Sequence, residues 1–305
     1  MRHGSRPCGM PRRAGRAALL AVAIASLELA GACSPGYETA AAARSDPTGP
    51  GRARRILLVG LDGADWSIID PLVAAGRLPI LARLRARGRT ATLIAAPPLL
   101  SPIIWTTIAT GRHPDDHGVL DFMVDLPAGG QAPVGSIHRK TPALWNLFSS
   151  VNRSVAVVGW WATWPAEDVH GTIVSDQLAP QLMRPDAAMG AGLISPAASV
   201  AALMPLLVRP EQVDLEELRR FIPLSAAERA AALREAGRAP SRFYANRVVH
   251  LAAVVAGTRT HVAMAERLLR EQKPDFAAVY LEAIDTVSHL FVKDAAHGRQ
   301  AIEQA

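Results

Sequence analysis

Three short stretches carry side chains whose types and spacing could do chemistry. The first, Leu57-Leu58-Val59-Gly60-Leu61-Asp62-Gly63, is an apolar run closed by Asp-Gly. That is the pattern of a strand buried on both faces that delivers one carboxylate, Asp62, to the edge of a sheet. The second runs Ser101-Pro102-Ile103-Ile104-Trp105-Thr106-Thr107-Ile108-Ala109-Thr110-Gly111. It predicts a helix with Ser101 as cap and Pro102 in the first helical position. A helix start attracts anions through its free N–H groups and partial positive charge. A carboxylate beside a hydroxyl in such a place suggests a metal-activated nucleophile for phosphoryl transfer. The third stretch, Tyr280-Leu281-Glu282-Ala283-Ile284-Asp285-Thr286-Val287-Ser288-His289, repeats the strand-then-acid arrangement at Asp285 and adds His289 four residues on. If the segment after Asp285 turns into helix, both side chains share a face. Carboxylate with imidazole is a zinc-type ligand pair, softer than the all-oxygen set of Mg or Ca. Each stretch alone also has a plainer reading: a turn after a strand, a helix cap, a common Asp-x-x-x-His spacing.

Such residues meet only if the scaffold brings strand ends to one edge. Apolar periodicity predicts a first strand over 55–61 and helices over 66–75, capped by Asp65, and 78–87. A second strand is predicted over 90–95 and the Ser101 helix to Gly111. Further on come a helix over 141–150, strands over 154–159 and 171–175, a long helix over 244–271 interrupted near Gly257, and a strand over 276–283. Alternating strands and helices imply an α/β fold, a mostly parallel sheet with helices on both faces. Residues 180–240 are rich in Ala, Pro, Leu and Arg with little β-branching, and read as a helical insertion or cap.

Charge narrows the partners. The formal net charge is +6, yet residues 1–55 hold nine arginines against Glu28, Glu38 and Asp46, which is already +6. The rest of the chain is neutral, so the basic balance is no footprint of a nucleic-acid partner. Residues 1–33 read as an export signal of lipoprotein type: an arginine-rich head, an apolar stretch over 17–27, then Leu29-Ala30-Gly31-Ala32-Cys33. Cys33 is the expected lipidation site and membrane anchor, with ordinary signal-peptidase cleavage as the alternative. The expected location is exported, periplasmic or membrane-anchored in a bacterium. Residues 34–53 read as a flexible linker and 54–305 as the folded domain. Apart from Cys33 the only cysteine is Cys8, inside the leader, so the mature chain has no internal disulfide.

Together these stretches resemble the alkaline phosphatase superfamily, most closely its type I phosphodiesterase/nucleotide pyrophosphatase-like group. The resemblance rests on Asp62-Gly63, on the Ser-Pro-x-x-Trp-Thr-Thr-x-x-Thr-Gly-x-x-Pro-x-x-His-Gly run from Ser101 to Gly118, and on Asp285-x-x-x-His289. It implies an alkaline-phosphatase-like fold and two divalent metals, most commonly zinc. Asp62 and Ser101 would hold one metal, Asp285 and His289 the other. Ser101 would be the nucleophile and form a covalent phosphoserine, and the substrate would be a small phosphate ester. His117 would hydrogen-bond the backbone of its loop, and Thr106 and Thr107 would pack inside the helix. Sulfatase chemistry is rejected, because Ile103 and Trp105 stand where that group requires Pro and Arg.

The departures are equally specific. The family's Ser-Asp-His-Gly motif and its later histidine are not found up to Ala305, so the fold is expected to be C-terminally incomplete: a fragment, or a truncated relative with half-built sites. Phe122 stands where the nucleotide pyrophosphatases place a phosphate-binding asparagine. His297, in a polar stretch, is a poor substitute ligand. The alternative function is an inactive relative, or an exported binding lipoprotein with no catalysis. Trp145, Trp160, Trp161 and Trp164 read as core rather than as a pocket for an apolar or sugar group. Neither a Gly-x-Ser-x-Gly elbow nor a Walker loop is present.

Overall fold

The run Phe276–Leu281 has parallel neighbours on both sides, and the sheet is built outward from it. In the computed structural model, which describes residues 54–182, 190–238 and 245–305, the strands are β1 (Ile56–Leu61), β2 (Met123–Asp125), β3 (Gln131–Pro133), β4 (Val155–Val158), β5 (Gly171–Val174), β6 (Ile194–Ser195) and β7 (Phe276–Leu281). The helices are α1 (Trp66–Ala74), α2 (Pro79–Arg87), α3 (Ser101–Thr110), α4 (Pro114–His117), α5 (Leu144–Ser150), α6 (Leu178–Leu182), α7 (Val200–Leu203), α8 (Leu215–Arg219), α9 (Ala226–Arg238), α10 (Arg247–Glu271), α11 (Ala283–Phe291) and α12 (Gly298–Gln304). The main sheet has the order β1-β7-β4-β5-β6. All its pairings are parallel except that of β5 with β6, as the alternation of strand and helix requires. β2 and β3 form a separate hairpin. The leader, Cys33 and the linker lie outside the described residues.

Side-chain alternation along the strands divides the core into two layers. Ala156, Val158, Val174, Ala277 and Val279 pack with Met264, Ala265 and Leu268 of α10 on one face. Val155, Val157, Ile173, Phe276, Ala278 and Tyr280 pack with Ala109, Trp145 and Trp160 on the other. Trp145 and Trp160 are fully buried, which bears out the core reading for them. Arg139 ties the second layer together. It donates to both Glu167 oxygens, at 2.7 and 2.8 Å, and to Asn146 and the Ala162 carbonyl, while its guanidinium lies over the Trp145 ring. Removing one partner of so buried an ion pair costs about 3–5 kcal/mol.

Several expectations need correction. β1 is not buried on both faces: it is the edge strand, and Ile56, Leu57, Val59 and Leu61 are exposed. The strand expected over 90–95 does not form. That stretch is irregular and exposed, with Ile94 at 88%, and among the described residues no strand pairs with it. The long helix α10 runs through Gly257 without a break. The i→i−4 ladder tolerates one glycine at about 1 kcal/mol, and here the missing side chain lets Ala179 approach closely. Within 180–240 the described elements are mostly short helices with the strand β6, and Val213, Leu218, Phe221 and Ile222 pack on Leu251, Val254 and Val255 of α10.

Candidate active site

Asp62 follows β1 directly, at the C-terminal edge of the sheet, where open α/β folds bind ligands. α3 docks against the same strand through one close approach: a side chain on Gly60 would overlap the Trp105 ring, 2.6 Å from it. Trp105 in turn sits edge-on to Trp160 and Tyr280, at 5.4 and 5.0 Å, and its carbonyl accepts the Trp160 indole N–H. This aromatic wedge fixes where α3 begins. The helix starts one residue earlier than its cap assignment implied. Leu100 is the N-cap, Ser101 the first helical residue, and no side chain caps the helix. Ser101 is therefore free of capping duty, and its hydroxyl donates to Asp62 Oδ2 at 2.9 Å.

Asp285 reaches the same place by a backbone contact. Its N–H donates to the Asp62 carbonyl at 3.1 Å, carrying the β1–β7 ladder past the strand ends. Gly63, at φ +71°, makes this possible, since a Cβ there would sit 2.7 Å from the Asp285 Cα. Asp285 does not close the strand as its sequence suggested. β7 ends at Leu281 and Asp285 lies in the first turn of α11. His289 follows one turn later on the same face, its Nε2 3.6 Å from Asp285 Oδ1 with its side chain 79% exposed. Asp62 thus meets Ser101 through its side chain and Asp285 through its carbonyl, and His289 stands beside Asp285.

Two residues given no role from sequence complete the cluster. Tyr280 donates its hydroxyl to Asp62 Oδ2 at 2.5 Å, so that oxygen accepts from Tyr280 and Ser101 together. Burial, and then the Asp62 charge, push the Tyr280 hydroxyl far up, keeping it a donor. Glu282 is pushed up to about 7 by burial and by the charges of Asp285 and Asp62. Burial and the Asp62 charge likewise hold Asp285 above the usual carboxylate range. Tyr280 had a readable signal: a polar-tipped aromatic at the end of a buried strand, next to the acid motif.

The donor set fits a divalent cation in kind. Asp62 and Asp285 repel one another across a short gap, and a cation between carboxylates relieves that repulsion. In number it is short: among the described residues no three His, Cys, Asp or Glu side chains gather as one ion's ligands. His117 is buried and hydrogen-bonds Thr107 Oγ1 and the Val119 N–H, in keeping with its expected loop role. His297 pairs with Asp294 beside α12.

An acid at the first strand end, a serine opening a helix and an acid–histidine pair after a later strand thus lie at one edge of a mostly parallel α/β sheet. The sequence profile described as type I phosphodiesterase / nucleotide pyrophosphatase matches residues 56–305, and the chain belongs to that family. A phosphonoacetate hydrolase from Sinorhizobium meliloti, solved with phosphonoacetate and with phosphonoformate, is similar at 18% identity in both structures, with TM-scores of 0.46 and 0.44. Each alignment covers 83% of this chain and 51% of that one, so the chain spans about half the length of the solved structures it matches. No curated relative matches.

Proposed function

We propose that this protein hydrolyses small phosphate esters of the phosphodiesterase/pyrophosphatase type, with Ser101 as nucleophile. The observation that carries the reading is the 2.9 Å hydrogen bond from Ser101 to Asp62, made across 39 residues at the start of α3. A serine so placed meets the anion-attracting end of a helix and has its hydroxyl oriented by a fixed acceptor. Two divalent ions, zinc by the carboxylate–imidazole chemistry of the donors, would be held by Asp62 with Ser101 and by Asp285 with His289, and would supply charge neutralisation at the phosphate. Ser101 Oγ forms a bond to phosphorus as the ester P–O bond breaks, and the leaving oxygen takes up a proton. Water then cleaves the phosphoserine, and the Ser101 oxygen regains its proton. Tyr280 holds the Asp62 carboxylate in one orientation throughout.

The test is turnover of bis-p-nitrophenyl phosphate by the full chain, with and without chelator. Metal-dependent turnover that Ser101→Ala abolishes supports the reading. Turnover unchanged in that variant refutes it. The site's exposed His289, and the two ligands available to each ion, favour the second reading of a binding protein without catalysis, which zinc-independent ligand binding with no turnover would establish. We also propose export through residues 1–33 with Cys33 as anchor. Cys33→Ser should release the protein from the membrane fraction, and unchanged fractionation contradicts the anchor.

A further inference from the structure

Acids and bases are unevenly spread along the folded part of the chain. Between Asp70 and Asp115 stand six arginines, Arg77, Arg83, Arg85, Arg87, Arg89 and Arg112, and no Asp or Glu. Residues 56–305 are neutral as a whole, so the remainder of them carries −6. Two of the six are answered in space. Arg77 pairs with Glu303 and Arg85 with Asp70, and the Arg85 guanidinium also covers the Trp66 ring. Among the described residues Arg83, Arg87 and Arg89 enter no ion pair.

These three stand among apolar side chains that nothing covers. No residue of α2 is buried, and the spacing of Ile80, Arg83, Leu84 and Arg87 puts them on one face of it. Leu81 and Ala82, half-buried, lie toward the fold. From Arg83 to Leu99 every residue is exposed, and Ile80, Leu84, Leu93, Ile94 and Leu99 are each more than half exposed. Leu93 and Ile94 also line an apolar groove with Ile103, Ile104 and Ile108 of α3. So much apolar surface gathered in one short stretch marks a place of contact.

Charge and apolar surface together narrow the partner. A nucleic acid would take the arginines and leave the leucines and isoleucines in water. A second copy docked about a two-fold axis would set the same arginines against each other. An anionic bilayer takes both, since the guanidiniums stay with the phosphate headgroups while the apolar side chains enter the acyl boundary.

We infer that the face formed by α2 and residues 88–99 is a docking surface for an anionic phospholipid bilayer. The inference rests neither on the phosphodiesterase reading nor on the Cys33 anchor. It is tested on the full chain carrying Cys8→Ser and Cys33→Ser, which removes acylation and leaves one thiol to be introduced, at Ile94→Cys, for an environment-sensitive fluorophore. The vesicles are phosphatidylglycerol mixed with phosphatidylcholine, or phosphatidylcholine alone. A saturable blue shift is expected on the anionic vesicles only, fading in high salt. With Arg83→Ala, Arg87→Ala and Arg89→Ala combined, half-saturation should need at least ~10-fold more lipid, because each arginine near such a surface is worth about fivefold in partition. All three are exposed and unpaired, so the fold does not depend on them. The same fluorophore at Val151→Cys, exposed after α5, should not respond. The arginines of residues 1–33 are present in every variant, so their own attraction to the vesicles is common to all and does not produce these differences. No shift on anionic vesicles, an equal shift on phosphatidylcholine alone, an equal response at Val151→Cys, or unchanged half-saturation in the arginine variant would each overturn the inference. A shift that grows with protein concentration in the absence of lipid overturns it in favour of a second copy.

Discussion

The two halves of the candidate site are built to different standards. Asp62 and Ser101 are locked: a hydrogen bond joins them, Tyr280 adds a second donor to the same oxygen, and Trp105 wedges α3 against β1. Asp285 and His289 sit on the first turns of α11 with a 3.6 Å separation and an imidazole open to solvent. Both pairs have the residue types for ligation, but only the first is organised before any ligand arrives. Preorganisation is what a nucleophile needs, whereas an exposed histidine gains its orientation from what it binds. On this account chemistry begins at Ser101, and the second pair is drawn in by charge.

The sharpest way to break that contrast is Ser101→Ala, which should lower turnover of a model phosphodiester at least ~10³-fold while the melting temperature stays within a few degrees. Next is Gly63→Ala. A methyl group 2.7 Å from the Asp285 Cα forces the two halves apart, so turnover should fall about 100-fold. Retained turnover would show that the two halves need not be held together. Tyr280→Phe removes one donor from Asp62 Oδ2 and leaves the wedge in place. A supporting hydrogen bond of this sort is worth about 10–100-fold in metal affinity or activity, and here the loss should appear in kcat more than in KM. An unchanged kcat would show that Ser101 and the Gly63 N–H, which donates to Asp62 Oδ1 at 3.0 Å, orient the carboxylate without Tyr280.

The smallest expected effect is on stability and isolates His261, which is buried in α10. The folded protein holds this imidazole neutral down to about 4, whereas the unfolded chain takes up a proton near 6.5. Stability from the neutral imidazole is therefore complete above pH 6.5 and lost as pH falls toward 4. The loss is about 2–3 kcal/mol. His261→Asn should remove that part of the pH dependence, read as the difference between denaturation curves of parent and variant at pH 7 and pH 4.5. Parallel curves would mean that the ring is charged in the fold.

What the sequence showed of this arrangement was its residues, not their supports. Acid at a strand end, serine before a helix, acid and histidine four apart: each has a periodicity or spacing that a linear reading detects. The position of β1 at the sheet edge was not legible, because Ile56–Leu61 is as apolar as Phe276–Leu281, and hydropathy does not tell which strand has a neighbour on each side. The same blindness made 90–95 look like a strand, since apolar content was visible and the missing pairing partner was not. The placement of Ser101 inside the helix rather than at its cap turns on one residue, within the ordinary uncertainty of helix ends. His261, in its apolar helix, looks like any core histidine until the topology sets it against the Tyr280 backbone.

The central claim is that Ser101 becomes covalently phosphorylated. It is tested most directly by quenching the full chain in acid during turnover of bis-p-nitrophenyl phosphate with zinc present, then mapping the phosphoryl group by peptide mass spectrometry. The account predicts one phosphorylated residue, Ser101, in the peptide that spans α3, and no label in Ser101→Ala. Turnover with no labelled serine, or with the label on Thr106 or Thr107, would contradict it.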